Sequence, residues 1–395
     1  MDAILGKGMS AKQSGVFIAV IAFVLALLGL LNVLSATLVE AMQDDQMLSK
    51  LFIKQSFSVL IAMGVCRFFA TTDYRRVVAL APRILLVTWI GLILVLLIGT
   101  KANGARRWIN LGFYSIQVSE FAKFTVILFC AHYASVRAKV IHDFRHGFLP
   151  AAICLCITVL LVAREPDFGT SMFLMVIGFM VLFLGGMRLR HILACALIAL
   201  PPFVFLMLQN FAHIQKRLDS FGSSPHPQVR SAILAMGNGG VMGTGVGQGR
   251  SQLDFVPFVE SDFVFASVGE QLGFLGSAAV IVLFLLFFWH GLKIAMRARD
   301  RAGFLMAFGL TFTVVFQAGI NMAVVTGLVP PKGIGLPFVS YGGSSLFVLG
   351  AAVGTLLNIA SDSREESLPD EEDSEEQDEY EYEESGLKIS GIDLE

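Results

Sequence analysis

The sequence predicts an all-α polytopic membrane protein of about ten transmembrane helices, and three observations carry that prediction. Hydrophobic residues make up 55% of the 395 and charged residues only 15%, with a mean hydropathy of +0.72. That balance is the one found in integral membrane proteins. The apolar residues gather into runs long enough, or nearly so, to cross the roughly 30 Å hydrocarbon core of a bilayer as helices. Lys and Arg concentrate in alternate loops, the asymmetry that orients a multi-span chain.

Along the chain the runs cover 16–38, 51–70, 84–99, 118–136, 148–163, 168–187, 192–208, 263–289, 303–329 and 343–360. The first is flanked weakly by Lys7 and Lys12 and ends without a small-residue cleavage site, so it reads as a retained span rather than a removable signal peptide. Arg75, Arg76 and Arg83 follow the second run; Arg137, Lys139 and Arg145 the fourth; Arg188 and Arg190 the sixth; Lys293, Arg297, Arg299 and Arg301 the eighth. With ten spans these loops share one side, which places both termini in the cytoplasm. The outer face carries Lys101, Arg106 and Arg107 in one loop, and Lys216, Arg217, Arg230 and Arg250 in a long loop over 209–262. If the shortest runs are re-entrant, nine or eleven spans are the alternatives.

The formal charge of −2 conceals a segregation. Sixteen acidic residues against Arg364 and Lys388 follow Ala360, which leaves fifteen acids and twenty-seven bases before it. SDSREESLPDEEDSEEQDEYEYEES is too polar to bury a core, so 361–395 is expected to be a disordered acidic cytoplasmic tail after a membrane domain of 1–360. Its plain role is solubility; docking of a basic partner is the alternative. Cys66, Cys130, Cys154, Cys156 and Cys195 lie in apolar runs without metal-ligand spacing and read as small buried hydrophobes. GNGGVMGTGVGQGR (237–250) lacks the Lys-Ser/Thr of a phosphate-cradling loop, so a re-entrant or close-packed segment is expected there.

Ionisable groups at membrane depth are costly unless paired or hydrated, which makes each a functional candidate. Glu120 and Lys123, spaced i, i+3 in SEFAKF (119–124), share a helical face and can pair; simple neutralisation that fixes packing is the plain reading. ARRW (105–108) brings Arg106, Arg107 and Trp108 to an outer interface. Anchoring explains Trp108, while Arg suits bidentate phosphate recognition. In REPDFGT (164–170), Glu165 and Asp167 flank Pro166 in a tight outer turn. Asp262 and Glu270 fall two helical turns apart at the start of the eighth run, where helix capping by Ser261 or Asp262 is the alternative to chemistry. In GLVPPKGIGLPFVSYGGSS (327–345) three prolines, Lys332 and the polar segment from Ser340 interrupt an apolar pattern. Such backbone is tolerated only when buried in protein or lining a wet cavity, so a cavity on the outer side is implied.

PPKGIGLPFVSYGGSS resembles the signature of the SEDS family (shape, elongation, division and sporulation). NGARRWINLG (103–112), QVSEFAKF (117–124), EPDFGT (165–170), QVRSAILAMGNGG (228–240) and SDFVFASVGEQLGFLG (261–276) match in family order, and the resemblance covers most of 15–360. It implies a ten-span, GT-C-like peptidoglycan glycosyltransferase that polymerises lipid II outside the cytoplasmic membrane with a class B penicillin-binding protein and other division proteins. Nothing in it calls for nucleic acid or a resident organic cofactor. The family aspartate falls on Asp262, with Ser261 for the usual Thr, and would act as general base. Arg107, joined by Arg106, Lys332 or a divalent cation (Mg or Mn), would stabilise the departing pyrophosphate. The expected substrate contacts are Arg106, Arg107, Trp108, Glu120, Lys123, Lys332 and Ser340.

The chain departs from the family ahead of that aspartate: Gln252, Pro257-Phe258 and Glu260 stand where Lys, Pro-Glu and His are usual, which leaves the substrate contacts of that loop open. A lipid II flippase using the groove and the Glu120–Lys123 pair, and a non-catalytic scaffold, are the alternatives. Asp262 favours the transferase, because a transporter has no need of a carboxylate confined to the outer edge. Pro-Lys-Gly at 331–333 and Asn-Gly-Ala at 103–105 resemble the division-type branch more than the elongation-type (RodA-like) branch, so the division septum is the expected location.

Overall fold

A computed structural model of the chain describes residues 10–41, 47–102, 105–110, 112, 114–195, 197–198, 201, 227–249, 261–330 and 332–363. Nine of the ten apolar runs lie on helices: α1 (Ala11–Ala41), α2 (Met47–Thr71), α4 (Ala81–Ile98), α5 (Val118–Val136), α6 (Leu149–Arg164), α7 (Phe168–Leu184), α9 (Val264–Met296), α10 (Arg301–Val325) and α11 (Gly343–Ser361). Two shorter α-helices, α3 (Tyr74–Ala79) and α8 (Pro227–Gly239), and a π-helical turn at Phe144–Phe148 join them. The run at 192–208, most of the loop 209–262 with Gln252, Phe258 and Glu260, and the tail from Arg364 lie wholly or mainly outside the described residues.

Seven of the described helical segments are long and apolar enough to cross a membrane, with α7 a shorter apolar helix. Helix ends are set by local chemistry. The Asp167 carboxylate accepts from Thr170 N at the start of α7, and Asp300 accepts from Gly303 N at 2.7 Å at the start of α10; both satisfy N–H groups that have no partner within the helix. Gly350 and Gly354 let α11 lie directly on α2, since a Cβ there would sit 2.4 Å from Ala62 O and 2.3 Å from Cys66 O. This is the close approach that small residues give membrane helices.

Inside the bundle, α5 buries Ala122, Ile127, Leu128, Cys130 and Ala131, and α10 buries Leu305, Met306, Leu310 and Val314. The outward rows of α2 and α4, including Leu60, Leu86, Val87 and Leu97, stay exposed, as expected of surfaces that face lipid. The prediction of a purely helical chain needs one addition. Thr100–Ala102, Ala105–Asn110 and Ser115–Gln117 form an antiparallel three-stranded sheet, β1-β2-β3, in the connection from α4 to α5.

The long helix α9 is broken at Gly273 (φ 69°, ψ −163°). The glycine-rich segment fills the break: Phe274 N donates to Gly240 O at 2.9 Å, Leu275 N to Val241 O at 3.3 Å, and Thr244 N to Glu270 O at 2.9 Å. It is therefore a close-packed strap that satisfies backbone groups released by the break, as membrane-depth backbone requires. Just beyond α11, Asp362 binds Arg75 at 2.6 Å and Arg299 at 3.4 Å.

Candidate functional site

Asp262 lies in the turn Ser261–Phe263 that leads into α9. The N-cap position falls to Phe263, which offers no side-chain acceptor, so Asp262 stands one residue outside the helix rather than at its cap position. Its backbone is held from two sides. Ser340 Oγ donates to Ser261 O at 2.5 Å, and Asn321 Nδ2 donates to Asp262 O at 2.8 Å. The carboxylate rests against the 332–335 segment: a Cβ on Gly333 would lie 3.1 Å from Asp262 Oδ2. A glycine is what permits that approach.

The same segment connects Asp262 to the turn between α6 and α7. A Cβ on Gly169 would lie 3.7 Å from Lys332 Cδ and 3.8 Å from Asp167 Oδ1, so the Lys332 stem crosses the first turn of α7 beside Asp167. From the sheet, Arg107 Nε donates to Glu165 O at 3.2 Å and its Nη2 to Pro166 O at 2.5 Å. Arg107, Asp167, Lys332 and Asp262 thus form one lane linked through the Glu165–Gly169 turn. Glu165 is fully buried, with neither carboxyl oxygen hydrogen-bonded among the described residues. Burial, and secondarily the Asp167 charge, push its pKa up to about 8, with Arg107 acting the other way.

Beneath the lane, Lys123 Nζ lies 2.8 Å from Glu120 Oε1 and donates to Gln317 Oε1 at 2.9 Å. Gln317 Nε2 in turn donates to Gly335 O at 2.9 Å. A narrow cleft, lined by Glu120, Lys123, Phe124, Gln317 and Ser345 among others, opens beside the pair. The spacing of Glu120 and Lys123 on one face is therefore realised as a buried ion pair.

Not every expected contact joins this group. Arg106 is exposed and donates to Leu96 O and Leu97 O, finishing the end of α4. Trp108 is partly buried and paired with Thr100 and Gln117 across the sheet. Ser340, besides holding Ser261, accepts from Leu336 N at 2.7 Å, so its hydroxyl is engaged in shaping the loop. Glu270 is 1% exposed, tucked under the strap where a Cβ on Gly249 would lie 2.9 Å from its Oε2. Two uncharged amides, Gln317 and Asn321, also belong to this group. Their spacing of four on an apolar span was the signal available, since it places both on one face.

Among the described residues no cluster of three or more His, Cys, Asp or Glu side chains forms a cage for a metal ion. Asp262 and Asp167 offer single carboxylates, and both Asp167 oxygens accept from Thr170. A resident divalent cation held by protein side chains alone does not fit these donors.

The profile of the FtsW, RodA and SpoVE cell cycle proteins matches residues 16–365. Stage V sporulation protein E of Bacillus subtilis (strain 168) is 35% identical over 367 residues, covering 90% of this chain and all of that protein. The probable peptidoglycan glycosyltransferase FtsW of Geobacter sulfurreducens (strain ATCC 51573 / DSM 12127 / PCA) is 34% identical over 368 residues, covering 90% of this chain and 98% of its own. In solved structures, a chain from a peptidoglycan synthase complex described as coordinating polymerization and crosslinking superposes with a TM-score of 0.70 at 25% identity, covering 87% of this chain and 97% of that one. The rod shape determining protein RodA of Thermus thermophilus shares the fold, with a TM-score of 0.64 at 24% identity and coverage of 88% and 97%. With its motifs in order across a helical membrane bundle, the chain belongs to the FtsW, RodA and SpoVE family of cell cycle proteins.

Proposed function

We propose that this protein is a peptidoglycan glycosyltransferase that polymerises lipid II, with Asp262 as general base. The observation that carries this reading is the partly buried Asp262, its carboxylate set against Gly333 at the end of a lane containing Lys332 and Arg107. In the reaction, the 4-hydroxyl of one disaccharide attacks the anomeric carbon of another. Asp262 takes the hydroxyl proton as the new β-1,4 C–O bond forms, and the bond to undecaprenyl pyrophosphate breaks with its electron pair passing to the phosphate oxygen. A positioned carboxylate contributes about 10²- to 10⁴-fold to such a step. Lys332 supplies positive charge for the leaving group. Arg107 supports it by fixing the Glu165–Asp167 turn and contributing its long-range charge.

The flippase alternative has less support, because Lys123 is neutralised by Glu120 and committed to Gln317, a scaffolding arrangement rather than a mobile relay. The functional partner is a class B penicillin-binding protein, by analogy with the synthase complex whose chain this one resembles. FtsW-named relatives favour the division septum. The discriminating experiment gives labelled lipid II to the purified protein with and without its cognate transpeptidase. Glycan chains are expected in the paired sample; lipid II scrambling across vesicles without any glycan from the pair would overturn the transferase reading.

A further inference from the structure

Asp262 is not held by its own helix. Asn321 Nδ2 donates to both Asp262 O and Ile334 O at 2.8 Å, so one amide joins the turn that carries the carboxylate to the loop against which the carboxylate rests. One helical turn earlier on α10, Gln317 Nε2 holds Gly335 O, while its Oε1 accepts from Lys123 Nζ. Because Lys123 has only donors, it fixes which way the Gln317 amide faces. Gln317 and Asn321 are 4% and 1% exposed, so neither is a substrate contact. Asn321 Oδ1 has no hydrogen-bond partner among the described residues; both of its recorded bonds come from the donor end.

We propose that Gln317 and Asn321 are positioning residues for Asp262: the two amides lock the 334–335 segment and the Asp262 turn together, and the buried Glu120–Lys123 pair sets the register of that lock by orienting Gln317. The inference rests on Asp262 being the base. It assigns the ion pair an indirect part in catalysis, exerted through Gln317 rather than on substrate. The lock acts on the reacting geometry rather than on substrate affinity, so its loss appears in kcat.

The test uses the full-length protein with its cognate transpeptidase and labelled lipid II, comparing Asn321→Leu, Gln317→Glu and Asp262→Asn, with thermal unfolding in detergent as the check on fold. Asn321→Leu keeps size but removes both donations. Gln317→Glu keeps the acceptor for Lys123 and loses the donor to Gly335 O. Each should lower kcat by about 10- to 100-fold, the cost of ångström-scale misplacement, with KM for lipid II changed less than about twofold, the signature of a lost transition-state interaction. The acidic limb of the kcat–pH profile, set by the base, should also move. If Asp262→Asn is inactive while folded Asn321→Leu and Gln317→Glu keep wild-type kcat and pH profile, the positioning role is overturned and the base assignment stands. If Asp262→Asn is active, both fall. Should Asn321→Leu fail to fold, Gln317→Glu decides, and misfolding of both would overturn the proposal in favour of a purely structural role.

Discussion

Glu165 sits in an environment that its side chain disfavours: fully buried, with both oxygens unpartnered among the described residues and a pKa pushed from 4.5 up to about 8. The folded state therefore keeps a proton that the unfolded chain loses across that window. Stability should fall as pH rises from about 4.5 to about 8 and level off above it, by at most about 1.4 kcal/mol per pH unit from this group. Glu165→Gln removes the linkage and should flatten that slope in thermal unfolding; an unchanged slope would count against a buried neutral carboxyl. For the Glu120–Lys123 pair, removing one partner strands a charge at about 6% to 14% side-chain exposure, a loss of about 3–5 kcal/mol if burial is complete. Lys123→Ala should be the worse single change, because it strands both Glu120 and Gln317 Oε1, and the double alanine should recover part of the loss. Additive losses in a double-mutant cycle would rule out the pair.

The critical element is the broken helix α9. Its first segment, from Val264 to Leu272, follows directly from the Asp262 turn and is tied to α1 by a buried network in which Gln271 Nε2 donates to Asn32 Oδ1 and Ser267 Oγ. The break at Gly273 lets that segment and the rest of the helix run differently, with the strap 240–245 filling the gap. A side chain at Gly273 would need a left-handed backbone, and its Cβ would fall 2.4 Å from Gly243 N and 2.5 Å from Val241 O. Gly273→Ala should cost more than about 2 kcal/mol from strain and overpacking and open the strap to limited proteolysis near Val241 and Met242. A thermal midpoint and cleavage pattern like wild type would show that the strap tolerates the shift. Sequence alone displayed the glycine pattern but not its partner. Glycine spacing reports backbone freedom, whereas the clasp depends on an α9 carbonyl more than twenty residues away.

At the scale of the whole molecule, the helices were legible because hydropathy states the solvent directly, and Asp262 and the Glu120–Lys123 pair because charge stands out against an apolar background. What stayed hidden depends on distant contacts. The turn at Glu165 is buried by Arg107 from another element, β2 forms only beside β1 and β3, and Gln317 and Asn321 carry no charge to mark them. Asp362 is a smaller case, since its ion pairs with Arg75 and Arg299 join residues far apart in the chain. Truncation after Ser363 should leave glycan synthesis intact, since Asp262, Lys332, Arg107, Gln317 and Asn321 all lie before it. Truncation after Ala360 should cost an additional ~1 kcal/mol or less, the usual worth of partly exposed ion pairs. Equal thermal midpoints for the two truncations would remove any stabilising role for Asp362.

The most direct test of the central claim is the rate of glycan-chain formation from labelled lipid II by Asp262→Asn, assembled with the cognate transpeptidase and shown by thermal unfolding to be folded. Asparagine keeps the size and loses the basicity of the carboxylate, while the Asn321 bond to the backbone carbonyl is untouched. The account predicts a fall of about 10²-fold or more with an unchanged thermal midpoint, and chain synthesis at the wild-type rate by the folded variant would contradict it.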